Sequence, residues 1–271
     1  MEPIQRWRIN LRHKSANSLH DPKIPMTVPC TKCPLRKQPL FVEMTEDEIV
    51  FMEKFKTGEL TVSPGTTILM EGSNSPHLYT VFSGMGTRYK TLENGRRQVI
   101  NFLFPGDFMG LQASLMGEMK HSVESSTPMV LCAFKREDLW NLFRTQPHRA
   151  YDLTWIAAVE EHFLGETIAT LGQRDAPQRI SWAFLRIEKR LRAVGLGTGG
   201  ANGTSVPLPY RQQDLADALG LSLVHTNKTL ARLRDRKIAQ WSDGVLRILD
   251  RKGLAEVAMS EPDPEEKRPI M

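Results

Sequence analysis

The chain has 271 residues, of which 40% are hydrophobic and 25% charged, and its formal net charge is +5. This length suits two ordinary domains, and this composition indicates a soluble globular protein rather than a disordered one. The basic stretch from Met1 to Pro29 lacks the apolar middle of a secretory signal, and no apolar run approaches the roughly 20 residues of a membrane helix. The sequence therefore predicts a cytoplasmic protein with no membrane partner.

The first 40 residues are interpreted as an N-terminal arm (1–40) that carries two of the three cysteines. Cys30 and Cys33 form a CxxC pair, and Cys132 lies far along the chain. An odd number of cysteines in a chain of this length argues against a disulfide framework and suits a reducing compartment.

Residues 41–147 are predicted to form an all-β domain of the jelly-roll type. Between Glu59 and Phe134, apolar or alternating runs are separated by turns. Proline fixes φ in these turns and glycine tolerates positive φ; they are Pro64-Gly65, Asn94-Gly95 and Pro105-Gly106-Asp107. A short helix from Glu137 to Phe143 is predicted to close the domain.

A long helix over residues 148–172 follows, with Pro147 in its first turn. Its apolar positions recur at steps of three and four residues, small alanines would let a partner helix approach, and glutamates lie beside the stripe. The predicted dimer interface comprises Leu153, Ile156, Ala157, Glu160, Leu164, Ile168 and Leu171. The alternative is that the stripe packs on the chain's own β-domain.

A second domain is predicted over residues 175–254, after a break at Asp175-Ala176-Pro177. It opens with an amphipathic helix from Gln178 to Val194, followed by a loop from Gly195 to Pro209. This part of the chain has an excess of Lys and Arg, which favours a polyanionic partner. Residues 255–271, polar and proline-rich, are predicted to be a disordered tail.

Two short helical patterns between Tyr210 and Ile238 predict a helix-turn-helix. Gly220 suits the tight turn, and the Ser222 hydroxyl can cap the second helix. A two-stranded wing is predicted from Trp241 to Leu249, with Asp-Gly at its turn. Amide, imidazole and cationic side chains on the second helix suit contacts with bases and phosphates. The predicted DNA-binding residues are Ser222, Val224, His225, Asn227, Lys228, Arg232 and Arg247. The alternative is an ordinary helical hairpin with a polar face.

From Cys30 to Ala258 the chain resembles the Crp/Fnr family of bacterial transcription regulators. The resemblance rests on Pro64-Gly65 with Glu71-Gly72, on 78–84 (LYTVFSG), on 105–110 (PGDFMG) and on 213–222 (QDLADALGLS). It implies an α+β protein: an N-terminal cyclic-nucleotide-binding-like sensor domain, a long dimerisation helix and a C-terminal winged helix-turn-helix. It also implies a homodimer on a palindromic double-stranded DNA operator, with RNA polymerase as a partner of an activator.

Three recognition positions depart from the family pattern. Val224, Asn227 and Lys228 stand where members commonly have Glu, Ser or Gly, and Arg. Valine cannot accept a hydrogen bond from cytosine, and lysine lacks the guanidinium fork. The family's usual half-site is therefore not expected, and the operator sequence is left open.

The resemblance also bears on cofactors, of which none is certain. Nucleotide-binding relatives have Glu and Arg where this chain has Leu111 or Gln112 and His121, so cyclic AMP is not expected to bind. Oxygen-sensing relatives hold an iron–sulfur cluster on four thiolates, but the third N-terminal thiolate falls near Pro39. A cluster or other metal, a thiol redox switch and a structural role are all left open for Cys30, Cys33 and Cys132.

Enzymatic activity is not expected, because the sequence lacks a P-loop, a nucleophile elbow, paired metal-binding histidines and a Rossmann glycine pattern. The predicted function is a DNA-binding transcription regulator that responds to an unidentified signal, with redox or oxygen as candidates. The alternative is an effector-binding module that acts on protein partners without specific DNA binding.

Overall fold

The computed structural model describes residues 27–200, 203–260 and 266–271; what the sequence predicts for residues 1–26 of the arm lies outside them. Two 3-10 turns, Cys30–Lys32 and Leu35–Lys37, lead to helix α1 (Glu46–Phe55). Helix α1 is not among the elements predicted from the sequence, although its start is well marked. Thr45 and Glu48 form a reciprocal capping box that satisfies two free amides at this end.

The β-domain predicted from the sequence is present as two four-stranded antiparallel sheets. One has the order β1-β8-β3-β6 and the other β2-β7-β4-β5, with a short helix α2 (Leu111–Met116) between β6 and β7. Buried apolar side chains from both sheets form the core between them. The strands are β1 (Lys56–Val62), β2 (Thr67–Leu69), β3 (His77–Ser83), β4 (Gly86–Thr91), β5 (Arg97–Leu103), β6 (Phe108–Met109), β7 (Ser122–Ser125) and β8 (Met129–Lys135).

Helices α3 (Leu139–Thr145) and α4 (Pro147–Gln173) follow the sheets. The 27 residues of α4 agree with the predicted long helix, and Pro147 occupies its first turn. At 1.5 Å per residue α4 is roughly 40 Å long, too long for one small domain to bury. Among the described residues, no helix has both the length and the apolarity to cross a bilayer.

The C-terminal domain contains helices on one side of a four-stranded sheet with the order β11-β12-β10-β9. Its helices are α5 (Ala176–Ala193), α6 (Gln212–Leu219), α7 (Leu223–Asp235) and α8 (Arg251–Ala258). Its strands are β9 (Thr198–Gly200), β10 (Gly203–Pro207), β11 (Ala239–Ser242) and β12 (Val245–Ile248). The predicted loop from Gly195 to Pro209 therefore contains two strands, because β10 pairs with the inner wing strand β12 and buries Val206.

The C-terminal domain packs against the β4–β5 hairpin of the β-domain. The Tyr210 hydroxyl donates to the carbonyl oxygens of Gly86 and Leu103, each 3.0 Å away. The Tyr210 ring centroid lies 4.6 Å from that of Phe102. A 3.6 Å ion pair between Arg97 and Asp214 supports the same contact. Helix α6 is thus held against β5.

The prediction of a disordered tail over residues 255–271 is wrong for 255–260 and 266–271, the part of this range that the structure describes. Helix α8 continues to Ala258, which is fully buried like Leu254. Farther on, Ile270 and Met271 are only 4% and 5% exposed. Prolines and acidic residues dominate the composition of this stretch, which is why the composition predicts disorder. One cation and two large apolar side chains in the same stretch nevertheless contact residues far away in sequence.

Candidate DNA-binding surface

Helices α6 and α7 form the predicted helix-turn-helix. Gly220 takes the left-handed conformation, with φ of 61°, which an L side chain rarely adopts. The Ser222 hydroxyl accepts a hydrogen bond from the His225 amide at 3.2 Å and caps α7. Leu215 and Leu219 are buried between the two helices and the rest of the domain. The turn residues thus fix the angle at which α7 leaves the domain.

Helix α7 separates cleanly into an inward and an outward face. Thr226, Thr229 and Leu233 are buried, and Leu230 is partly buried. The side chains predicted to face outward do so: Val224 is 79% exposed, and Ser222, His225, Asn227, Lys228 and Arg232 are also exposed. An apolar group, an amide and two cations are therefore presented together on one helix of a width that fits a major groove.

The outward face is positively charged and its cations are available. Within the described part of the chain, Lys228 and Arg232 form no ion pair. Arg234, in contrast, lies 3.2 Å from Asp235. Arg236 and Lys237 follow immediately and are exposed. Arg236 and Lys237 are not among the predicted DNA-binding residues, although the basic run from Arg232 to Lys237 is visible in the sequence.

The wing adds a second basic contact point. Strands β11 and β12 are joined by Asp243 and Gly244, both with positive φ as a tight hairpin requires. Arg247 is exposed on β12, opposite Gln240 on one side and Ser205 on the other. The predicted recognition helix and wing thus both present to solvent cations that form no ion pair with any residue that the structure describes.

The predicted dimer interface on α4 divides into two parts. Leu153 and Ile156 are buried against the chain's own β-domain and α3, which corrects their assignment to a partner surface. Glu160 also has a partner within the chain, because its carboxylate accepts a 2.7 Å hydrogen bond from Arg88. The stripe begins next to the sheet β1-β8-β3-β6, so its first turns complete that core.

The rest of the α4 stripe remains open. Leu164 is 42% exposed and Ile168 is 70% exposed, and Ala157 is also on the surface. Leu171 is half-buried. These side chains lie at steps of three, four and seven residues and form one apolar line.

The two positions that the resemblance assigns to nucleotide contacts do not carry a charged side chain in the β-domain. Burial, with the nearby charges of Arg88 and Lys90, lowers the pKa of His121 to about 4, so its imidazole is neutral at neutral pH. Gln112 accepts a hydrogen bond from the Lys120 amide. The space between the sheets is filled by apolar side chains, including Met109, Met119 and Met129.

The three cysteines come together at one side of the β-domain, but they are not arranged to hold a cluster. Burial and the charge of Glu53 raise the pKa of Cys30 to about 11, and burial raises that of Cys132 to about 12 even though Lys56 opposes the shift. A thiol that ligates a metal or a cluster loses its proton on binding, so a raised pKa lowers the affinity but does not prevent ligation. No group of three His, Cys, Asp or Glu side chains among the described residues is placed to bind a metal ion. The residues do not fit an iron–sulfur cluster in this arrangement.

Comparison with known proteins identifies both domains. A cyclic nucleotide-binding domain model matches residues 59–146, and a Crp-like helix-turn-helix model matches residues 178–257. The nitrogen fixation regulation protein FixK of Rhizobium meliloti is 30% identical over 185 residues, 68% of this chain and 78% of that protein. The transcriptional activator protein FnrL of Cereibacter sphaeroides is 26% identical over 235 residues, 86% of this chain and 93% of FnrL.

Similarity extends to solved structures. The structure of FixK2 from Bradyrhizobium japonicum matches with a TM-score of 0.66 and 23% identity, covering 76% of this chain and 98% of that one. The match supports the observed order of domains: a β-rich sensor-type domain, a long helix and a helix-turn-helix domain.

Proposed function

The chain belongs to the Crp/Fnr family of DNA-binding transcription regulators, and we propose that it acts as a homodimer on a palindromic operator. The family consists of regulators and not enzymes, which confirms the expectation that the chain is not an enzyme. The observation that carries the proposal is the outward face of α7, where Asn227, Lys228 and Arg232 are exposed together. This face also weighs against a module that acts only on protein partners.

In the proposed complex, α7 enters the major groove and the wing meets the sugar–phosphate backbone. Asn227 and Lys228 contact base edges, while Val224 offers an apolar surface suited to a thymine methyl group. Ser222 and His225, at the start of α7, lie where a helix N-terminus favours a phosphate. Arg232 and Arg247 supply further phosphate contacts, which position the protein without reading sequence.

The exposed part of the α4 stripe is the proposed dimer contact. Ala157, Leu164 and Ile168 would pack against the same residues of a second copy, as a two-fold interface requires. The two helix-turn-helix units of the dimer would then bind half-sites about one helical turn of DNA apart. RNA polymerase is the proposed partner on DNA, and the cytoplasm is the proposed location.

We propose fewer candidate signals than the sequence alone leaves open. Cyclic AMP is not proposed, because His121 is neutral and apolar side chains fill the space between the sheets. A cluster is not proposed for the arrangement described, because no group of three or more His, Cys, Asp or Glu side chains among the described residues is placed to hold one. We propose that any redox or oxygen response through these thiols requires the cysteine-bearing arm to leave the β-domain first.

The dimer proposal is tested with Ile168→Glu, which places a charge in the exposed stripe. We expect sedimentation to show a monomer and operator affinity to fall by at least about tenfold, since one half-site contact is lost. Ala169→Glu is the control, because its position is exposed and lies about 100° around the helix from Ile168. Dimerisation unchanged by Ile168→Glu would contradict this interface.

A further inference from the structure

The segment Glu266–Met271, named here the C-terminal strap, lies against the β-domain. It lies beyond the helix-turn-helix family match, which ends at residue 257. Glu266 and Lys267 are exposed, whereas Pro269, Ile270 and Met271 are buried. A peptide of six residues whose first two lie in solvent and whose last three lie in the core resembles a bound ligand.

The first anchor of the strap is ionic. Asp107, only 1% exposed, pairs with Arg268 of the strap at 3.3 Å and with Arg190 of α5. Burial alone would raise the pKa of Asp107, but the guanidiniums of Arg190 and Arg268 hold it below its ordinary value. The carboxylate is therefore charged and shared between the DNA-binding domain and the strap. Removing either cation would leave buried charge uncompensated.

The second anchor combines apolar packing with hydrogen bonds to the strap backbone. Ile270 packs with Leu35, Phe41 and Val194, so that it joins the arm to the end of α5. Met271 enters the cluster between the sheet and helices α1, α3 and α4. Its backbone oxygen accepts a 2.6 Å hydrogen bond from the Thr80 hydroxyl. The Ile270 carbonyl accepts a hydrogen bond from the buried Arg149 of α4.

The third anchor is backbone pairing with the arm. Arg268 donates its amide to the Leu40 carbonyl at 2.8 Å, and Val42 donates to the Arg268 carbonyl at 3.0 Å. The Phe41 ring between them lies against Gly106, where an added Cβ would come within 2.3 Å of it. The arm and the strap thus form a two-stranded contact on the β-domain.

Both arm cysteines pack against clusters to which the strap contributes. Cys33 packs against the cluster that contains Ile270, and Cys30 against the cluster that contains Met271. Each thiol is half-buried. The strap and the arm cysteines thus belong to the same two packed clusters.

We propose that the groove between the β-domain, α4, α5 and the arm is a binding site for a short peptide of the type Arg-Pro-Ile-Met, and that the C-terminal strap is its occupant. By filling this groove the strap holds the arm closed over its thiols and ties the DNA-binding domain to the β-domain. Release of the strap frees the arm.

The test compares Arg268→Ala with Lys267→Ala in the full chain. Lys267 is the neighbouring exposed cation and forms no ion pair in the described part of the chain. Each protein is treated with iodoacetamide at neutral pH, and mass spectrometry measures the rate at which Cys30 and Cys33 are alkylated. We expect rates about tenfold higher for Arg268→Ala, the equivalent of about 1.4 kcal/mol in the opening equilibrium. Lys267→Ala should match the parent, and equal rates in all three proteins would overturn the proposal.

A second measurement does not depend on a point variant. The chain is shortened to end at Ser260, and a synthetic peptide with the sequence of residues 266–271 is added. If the peptide restores slow alkylation of the shortened chain, and a peptide with Ala in place of Arg268 does not, the result supports the groove as a peptide-binding site. Failure of millimolar peptide to restore protection overturns it. Neither readout involves DNA, so failure here leaves the proposed function standing.

Discussion

Replacing Lys228 and Arg247 separately by alanine should give two different kinds of binding defect. Both side chains are exposed, and neither forms an ion pair within the described residues. Their removal should change the free energy of unfolding by no more than about 0.5 kcal/mol, as for other surface positions. Any change in DNA affinity then reports on the complex rather than on the free protein.

The expected magnitudes differ because one side chain is placed to read bases and the other to contact phosphate. Lys228→Ala should lower affinity for the operator by about 1–3 kcal/mol and relax discrimination at one base step. Arg247→Ala should weaken binding to all sequences alike. It should also reduce the slope of log K against log salt by about 0.9, the value for one phosphate contact.

Fluorescence anisotropy measures both effects, with labelled operator, operators changed at single base steps and a scrambled duplex, each at several salt concentrations. Lys252→Ala is the matched control, an exposed lysine on α8 outside the recognition helix and the wing. If Lys228→Ala left discrimination at every base step unchanged and weakened only non-specific binding, the assignment of α7 as the reading face would be refuted.

Three further substitutions test the packing. Tyr210→Phe removes the donor to the buried carbonyls of Gly86 and Leu103 and should lower the free energy of unfolding in urea by about 1–3 kcal/mol, whereas no change would refute this docking. His121 is neutral in the fold with a pKa near 4, against 6.5 unperturbed, so the unfolded chain binds the extra proton between these values. Stability should therefore fall by at most about 3 kcal/mol as pH drops through this window, and His121→Asn should flatten the pH profile of urea unfolding. Thr229→Val removes a fully buried hydroxyl that has no hydrogen-bond partner among the described residues. It should raise the free energy of unfolding by about 1 kcal/mol and the melting temperature with it, whereas a lower melting temperature would show that the hydroxyl is satisfied.

Local chemistry explains why the helix-turn-helix is predictable from sequence. Gly220 has the positive φ that the turn needs, Ser222 caps α7, and Asp243-Gly244 closes the wing. Each of these signals lies within a few residues of the structure that it specifies. The outward face of α7 follows from helical period alone, which is why Asn227 and Lys228 lie where the sequence analysis puts them.

Long-range pairing explains what the sequence does not predict. The period of α4 shows an apolar stripe but not that Leu153 and Ile156 complete a sheet core while Ile168 stays exposed. The partners of the C-terminal strap are equally remote, since Arg268 meets a carboxylate 161 positions earlier. Neither contact leaves a local signature, because the partners come together only when the domains pack.

Selection of bound duplexes from a random DNA pool tests the central claim most directly. The protein is incubated with the pool at a stated salt concentration, since phosphate contacts make affinity salt-dependent. The account predicts enrichment of a two-fold symmetric sequence whose half-sites are about one helical turn apart. A pool with no enriched sequence after repeated rounds would contradict sequence-specific binding and favour a module that acts on protein partners.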